Sequence, residues 1–167
     1  MKTVCNATPL IYLSKLNRLE FLKMLFGEIF IADAVYEEVV IEGKQDAHTD
    51  AVIVERAIED GWINVVKAKE RKELKLFEEL DQGEMETISL ALDMHPDLVL
   101  IDEAPARQIA RSLHLQVKGT VYVLLLAYQK RMLKKDETKQ LLAALLAAGF
   151  RLAPELYAKI LNELEKY

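Results

Sequence analysis

An α/β fold is what this sequence predicts, specifically a three-layer α/β/α sandwich with a central, mainly parallel sheet and a C-terminal helical pair. Short apolar runs of strand type alternate with longer stretches of helical period, and no repeat, low-complexity tract or Gly/Ser linker interrupts them. The strand candidates are also short and largely apolar rather than alternating, which is the pattern of strands covered on both faces. A parallel sheet follows.

The strands are expected at Thr3–Cys5, Ile29–Ala32, Ile63–Val66 and 98–101. Helices fill the intervals. Thr8-Pro9 reads as an N-cap followed by an N1 proline, opening a helix through Leu16, and Asp33 as the cap of a helix running to about Ile41. Residues 46–60 read as a third helix. Asp81-Gln82-Gly83-Glu84 has the capping-box spacing ahead of the apolar positions Ile88, Leu90, Ala91 and Leu92. Another helix starts near Ala104, and one over 121–130 follows Gly119-Thr120. Two closing helices, 136–148 and 154–166, are separated by Gly149 as a C′ residue. The stretch 67–75 reads as a charged, mobile connector.

At 167 residues and 51% hydrophobic, the chain can bury a full core, so one domain over 1–167 is expected, with a core of about 1–133 and the helical pair over 134–167. The sole cysteine, Cys5, rules out an internal disulfide framework and reads as a small buried hydrophobe in a reducing compartment. Polar Asn6 and then Pro9 interrupt the N-terminus, which therefore lacks the apolar stretch of a signal peptide. The apolar runs 121–127 and 141–148 fall short of the about 20 residues a membrane helix needs. A soluble, cytoplasmic protein with no membrane partner is the expectation. A formal charge of −5 argues against a general nucleic-acid binder, so nucleic acid would have to be held locally.

In an open parallel sheet, ligands bind beyond the carboxyl ends of the strands. Asn6 ends the first strand, Asp102 ends the strand over 98–101, Glu84 opens the capping-box helix, and Glu38 lies one turn into the helix after Ile29–Ala32. Carboxylates gathered at one edge repel one another unless a cation neutralises them, and hard oxygen donors select Mg²⁺ or Mn²⁺ over zinc. Such a metal lowers the pKa of a bound water and stabilises charge on a phosphodiester.

Asn6-Ala7-Thr8-Pro9-Leu10-Ile11, Val35-Tyr36-Glu37-Glu38-Val39, Gly83-Glu84-Met85-Glu86-Thr87-Ile88, Leu100-Ile101-Asp102-Glu103, Arg107 and Gly119-Thr120 together resemble the PIN-domain proteins, in particular the prokaryotic branch near the VapC-type toxins. The resemblance covers nearly the whole chain. It implies a PIN-like fold and a Mg²⁺- or Mn²⁺-dependent endoribonuclease acting on RNA, often a homodimer, whose toxin members are restrained by a small antitoxin encoded beside them. Carried over residue by residue, it makes Glu38, Glu84 and Asp102 the catalytic metal ligands, with Asn6 beside them. Thr8, Arg107 and Thr120 fall on the substrate side. Asn6 departs from the family, which carries aspartate there; a carboxamide oxygen still coordinates a hard cation but adds no charge. Glu103 would compensate only if it turned inward, and neighbours on an extended segment point in opposite directions.

Each residue also has a plainer reading. Glu84 alone reads as the capping-box glutamate, Glu38 as charge on a solvated helix face, and Asp102 as a helix cap no less than a ligand. Arg107 and Arg111, four apart on one helix face, suit phosphates or ordinary surface ion pairs. His48, His95 and His114 lack zinc-ligand spacing, and no phosphate-cradling glycine loop stands out. The stripe Val121, Leu124, Leu125, Tyr128 reads as core, then as dimer surface. An alternative function remains on these grounds: a PIN-like module with an impaired metal site that binds nucleic acid or protein. A nuclease acting on DNA is a further one.

Overall fold

The computed structural model describes residues 1–166, which divide into two compact units, Met1–Thr120 and a second beginning at Val121. In the first unit, β1 (Thr3–Cys5) pairs in parallel with β2 (Ile29–Ala32) on one side and β4 (Leu98–Leu100) on the other, with Thr3 opposite both Ile29 and Leu98. Beyond them lie β3 (Ile63–Val66) and β5 (Val117–Lys118), giving one five-stranded, all-parallel sheet in the order β3-β2-β1-β4-β5. The chain walks one way from β1 to β3, returns, and walks the other way from β4 to β5. Right-handed crossovers in opposite directions put helices on both faces of the sheet, hence three layers.

Those helices are α1 (Ala7–Lys15), α2 (Glu20–Phe26), α3 (Asp33–Tyr36), α4 (Gly43–Gln45), α5 (Thr49–Glu59), α6 (Gln82–Met94) and α7 (Ala104–Ser112). The core is aliphatic. Leu10, Leu13, Leu22, Ile29, Ile31, Ile63, Ile88 and Leu100 are all fully buried, and each such side chain contributes roughly 1.5–3 kcal/mol of transfer free energy. Helix α6 packs on β1 and β2, and α1 packs against α5.

The strands fall where the apolar runs predict them, the fourth one residue shorter. Two elements carry no such signal. The fifth strand, β5, is two residues long and half exposed, too short to show a period. Helix α2 buries Phe21, Leu22 and Phe26 but starts without a capping side chain.

Several boundaries differ from those expected. Helix α1 begins at Ala7, because Asn6 keeps the extended backbone of the N-cap position (φ −81, ψ 176); Thr8 is therefore inside the first turn and is not a cap. Pro9 is tolerated there since first-turn N–H groups have no helical partner. Asp33 likewise is the first residue of α3, and Ala32 holds the cap position. That helix continues through a π-helical segment, Glu37–Glu42, into α4, past the expected end at Ile41. Residues 46–48 precede α5 rather than belong to it. The connector over 67–75 is not free: Arg71 Nη2 donates to Asp93 Oδ1 at 2.6 Å, the Lys69 carbonyl accepts from Ser89, Leu74 is buried, and Lys72–Leu76 winds into a 3-10 turn.

The second unit comprises α9 (Lys135–Ala147), α10 (Pro154–Glu165) and all but the first residue of α8 (Thr120–Gln129). Gly149 ends α9 with φ 100, the left-handed C′ conformation expected of it. Lys139 and Lys135 of α9 both pair with Glu165 of α10.

Gly43 makes α4 and α5 close neighbours: a Cβ there would lie 2.9 Å from the Ala51 Cβ. Gly43→Leu is expected to lower unfolding stability by more than about 2 kcal/mol, since overpacking is not relieved by a rigid methyl. Chemical denaturation measures it, and an unchanged midpoint would contradict the packing described.

Candidate functional site

The sheet reverses its direction of growth between β1 and β4, and beyond the strands' carboxyl ends at such a switch point is where open parallel sheets bind ligands. Asn6 leaves β1 at this point with its backbone N–H still bonded to the Leu100 carbonyl at 2.9 Å. Asp102 and Glu103 leave β4 beside it. The side chains then sort into two clusters, each floored by a glycine.

The first surrounds Gly83, the second residue of α6. A Cβ at this position would lie 3.3 Å from Glu38 Oε2, 3.4 Å from Asp81 Oδ1 and 3.7 Å from Asn6 Oδ1. Three oxygen-bearing groups of separate segments thus converge on this glycine, where a larger side chain would crowd them. Asn6 is 3 % exposed and its amide has a defined orientation: Oδ1 accepts from Thr87 Oγ1 of α6 at 3.2 Å, and Nδ2 donates to Glu103 Oε2 at 3.3 Å. The other Glu103 oxygen accepts from the Thr8 hydroxyl. Glu84 forms the expected capping box, its carboxylate accepting from the Asp81 N–H at 2.9 Å while Asp81 Oδ1 accepts from the Glu84 N–H at 2.8 Å. Glu38 stands on the π-helical segment and, among the described residues, accepts no hydrogen bond. The segment is anchored from its start: the Ala34 N–H donates to Glu86 Oε2 of α6 at 2.9 Å.

The second cluster surrounds Gly119. Asp102 Oδ1 accepts from the Thr120 N–H at 2.8 Å and Oδ2 from the Thr120 hydroxyl at 2.6 Å. Arg107 Nη1 donates to the Ile101 carbonyl at 3.0 Å, and a Cβ at Gly119 would meet Asp102 Oδ1 at 2.5 Å and Arg107 Nη1 at 2.7 Å. Thus Asp102 and Glu103, adjacent on an extended segment, do point opposite ways. Glu103, not Asp102, is the acid that touches Asn6.

The electrostatics carry the imprint of crowding. Burial, joined by Asp81, Glu103 and Glu38, pushes the Glu84 carboxyl up to about 7, against the hydrogen bond from Asp81 that lowers it. Glu38 is raised by partial desolvation and then by Asp81, Glu103 and Glu42. Asp102 is raised by burial, partly offset by its two bonds from Thr120. Burial next to Asp102 and Glu103 also lifts the Cys5 thiol, which is fully buried, so this sulfur is inert.

Of the residues singled out from sequence, Asn6, Thr8, Glu38 and Glu84 lie in or beside the Gly83 cluster, and Asp102, Arg107 and Thr120 form the Gly119 cluster. Glu103 was weighed from sequence only as a compensating charge for Asn6 and Asp81 only as the capping-box partner, while Thr87 and the two glycines stood in the motifs without a role. Both glycines immediately precede a polar residue at a helix start, which is the one signal sequence offered.

The donor set fits a hard divalent cation, being made of oxygens with negative charge in excess, and Glu38 and Glu84, raised first by burial and then by their acidic neighbours, are groups whose charged form a cation would favour. Among the described residues, no three His, Cys, Asp or Glu side chains already stand as a cage for a metal ion. The reason is visible: Asp102 is turned to Thr120, Glu84 to Asp81, and Glu103 to Asn6 and Thr8.

A family profile described as a PIN domain matches residues 2–166 of this chain. No curated protein shows significant similarity to it. No helix among the described residues is long and apolar enough to cross a membrane.

Because Glu84 binds its proton more tightly folded than unfolded, its contribution to stability is fully present below about 4.5, the ordinary value, and is lost as pH rises through about 7. The metal-free protein is therefore expected to lose on the order of 2 kcal/mol between these limits. Glu84→Gln, which keeps the capping box, should flatten that slope. Denaturant midpoints taken across the pH range test it; a wild-type slope in the variant would remove Glu84 as the cause.

Proposed function

The chain belongs to the PIN-domain family, whose members are generally nucleases, and on that premise we propose that it is a metal-dependent endoribonuclease. The observation that carries this reading is the convergence of Asn6, Glu38 and Asp81 oxygens over Gly83, with Glu84 and Glu103 beside them, at the sheet's switch point. Glu38 and Glu84 would hold Mg²⁺ or Mn²⁺, directly or through water, which suits a cation that keeps much of its hydration, and Asp102 would join them only by exchanging its bonds from Thr120. When bound, the cation supplies a positive charge that acidifies water and stabilises charge on the phosphodiester.

The chain's own residues do the rest. The Glu84 carboxyl stands near 7 without metal, and a bound cation would hold it as the carboxylate, so its part is to bind the metal. Asn6 and Thr8 orient their neighbours by fixing Glu103. Thr120 holds Asp102 with both its N–H and its hydroxyl, and Arg107 brings positive charge beside them for a phosphate. A net charge of −5 makes such local positive charge the means of holding an anionic strand.

The toxin role, a small antitoxin partner, a homodimer and a cytoplasmic location are parts of the same proposal. They are supported by the motif resemblance to the VapC-type branch. A small reading frame beside the gene, co-expressed and co-purifying with this protein, would test the antitoxin.

A second reading is favoured by Asn6 and by the hydrogen bonds that already occupy Asp102 and Glu103: a PIN module that binds nucleic acid or protein without cutting it. Glu38→Gln separates the two. Since Glu38 accepts no hydrogen bond and sits among other acids, the variant should melt no lower than the parent, yet lose about 100-fold or more in Mn²⁺-dependent cleavage of single-stranded RNA. Asp102→Asn, by contrast, replaces the carboxylate that accepts both the Thr120 N–H and its hydroxyl by a neutral amide that can accept only one of them, and should also lose about 1–3 kcal/mol of stability. If the parent neither binds Mn²⁺ by calorimetry nor cleaves RNA, the binding-module reading replaces the enzyme. Equal cleavage of a matched DNA strand would remove the restriction to RNA.

A further inference from the structure

We propose that Glu103 carries the negative charge that the end of β1 lacks, and that position 6 is an amide because Glu103 occupies that place. The inference rests on the nuclease reading above and names the acid that completes its site.

Thr87 Oγ1 donates to Asn6 Oδ1, which leaves Asn6 Nδ2, a group that can only donate, facing Glu103 Oε2 at 3.3 Å. Thr8 donates to the other Glu103 oxygen. Two donors from the β1–α1 junction thus converge on one side chain from the β4–α7 junction, and the acceptor-only carboxylate is the form that suits both. An aspartate at position 6 would replace the amide N–H by a carboxylate oxygen against Glu103 and leave that carboxylate with one donor fewer. With Asn6 3 % exposed, water does little to soften this repulsion. The two positions therefore hold one charge between them, and the fold places it on Glu103. Through Asn6 the same chain of bonds reaches α6, whose Gly83 floor lies 3.7 Å from Asn6 Oδ1 when measured from a built Cβ. Glu103 is thereby tied to the cluster that Glu38 and Glu84 form.

The test is a cycle of Asn6→Asp, Glu103→Gln and the double variant, read by thermal melting without metal and by calorimetric titration of Mn²⁺ into each protein. Glu103→Gln preserves volume and one acceptor oxygen, and the melting scans themselves show whether each variant folds. Asn6→Asp should melt about 4 °C or more below the parent without gaining Mn²⁺ affinity. Glu103→Gln should weaken Mn²⁺ binding about tenfold or more. The double variant, with acid and amide exchanged, should recover melting temperature relative to Asn6→Asp and Mn²⁺ affinity relative to Glu103→Gln. Should Asn6→Asp alone tighten Mn²⁺ binding tenfold while Glu103→Gln leaves it unchanged, the charge is missing at position 6 and the proposal fails, with the metal-dependent reading intact. If the parent binds no Mn²⁺, both fall.

Discussion

The parallel pairing of β1 with β4 is the constraint on which the rest depends. It joins the two halves of the sheet, runs through fully buried Val4, Cys5, Val99 and Leu100, and ends by releasing Asn6 and the Asp102-Glu103 pair side by side. Because the chain's direction of travel reverses there, polar side chains collect beyond the strand ends, and Asn6, Glu84, Thr87 and Thr120 are buried where they do so. A one-residue slip of β4 against β1 would send Asp102 toward Asn6 and Glu103 toward Thr120, exchanging the two clusters. Register is therefore a chemical variable as well as a packing one.

Gathering acids at this edge is unfavourable in the absence of a cation, and the molecule offsets the cost by several local means. The capping box gives Glu84 a backbone donor, and the positive end of the 13-residue helix α6 lies beneath it; a helix N-terminus is worth about 0.3–1 kcal/mol to a nearby carboxylate. Asp102 and Glu103 each take two donors from the chain. Glu38 has none, so its charge remains the least compensated and the freest to respond to what binds. The aliphatic core under the sheet provides the stability against which this is set.

Glu38 owes its position to a departure from regular helix. The π-helical segment Glu37–Glu42 lies between α3 and α4, and such segments recur where a side chain must be re-aimed toward a site. Glu86 of α6 fixes the start of α3, and Gly43 lets α4 rest on Ala51 of α5. Helix α6 thus supplies the Gly83 floor, the Glu84 acid, the Glu86 anchor and the Thr87 donor from little more than its first turn, which makes it the element that sets the site's geometry.

Sequence by itself determined the layers and four of the strands, because apolar runs bounded by turn residues and helical periods bounded by caps are local signals. It also determined the capping box, whose two partners are three residues apart. The short strand β5, the start of α1 at Ala7 and the π-helical turn escaped it, since each is decided by contacts with distant segments rather than by neighbours. For the site, acids at strand and helix ends were legible as residue types, and the direction each would face was not. Asp102 and Glu103 are adjacent and chemically alike, so only the tertiary structure could assign one to Thr120 and the other to Asn6. Bringing together positions as far apart as 6, 38, 83 and 103 requires the closed sheet, because no local rule relates residues separated by tens of positions; long-range register and the space left by glycine do.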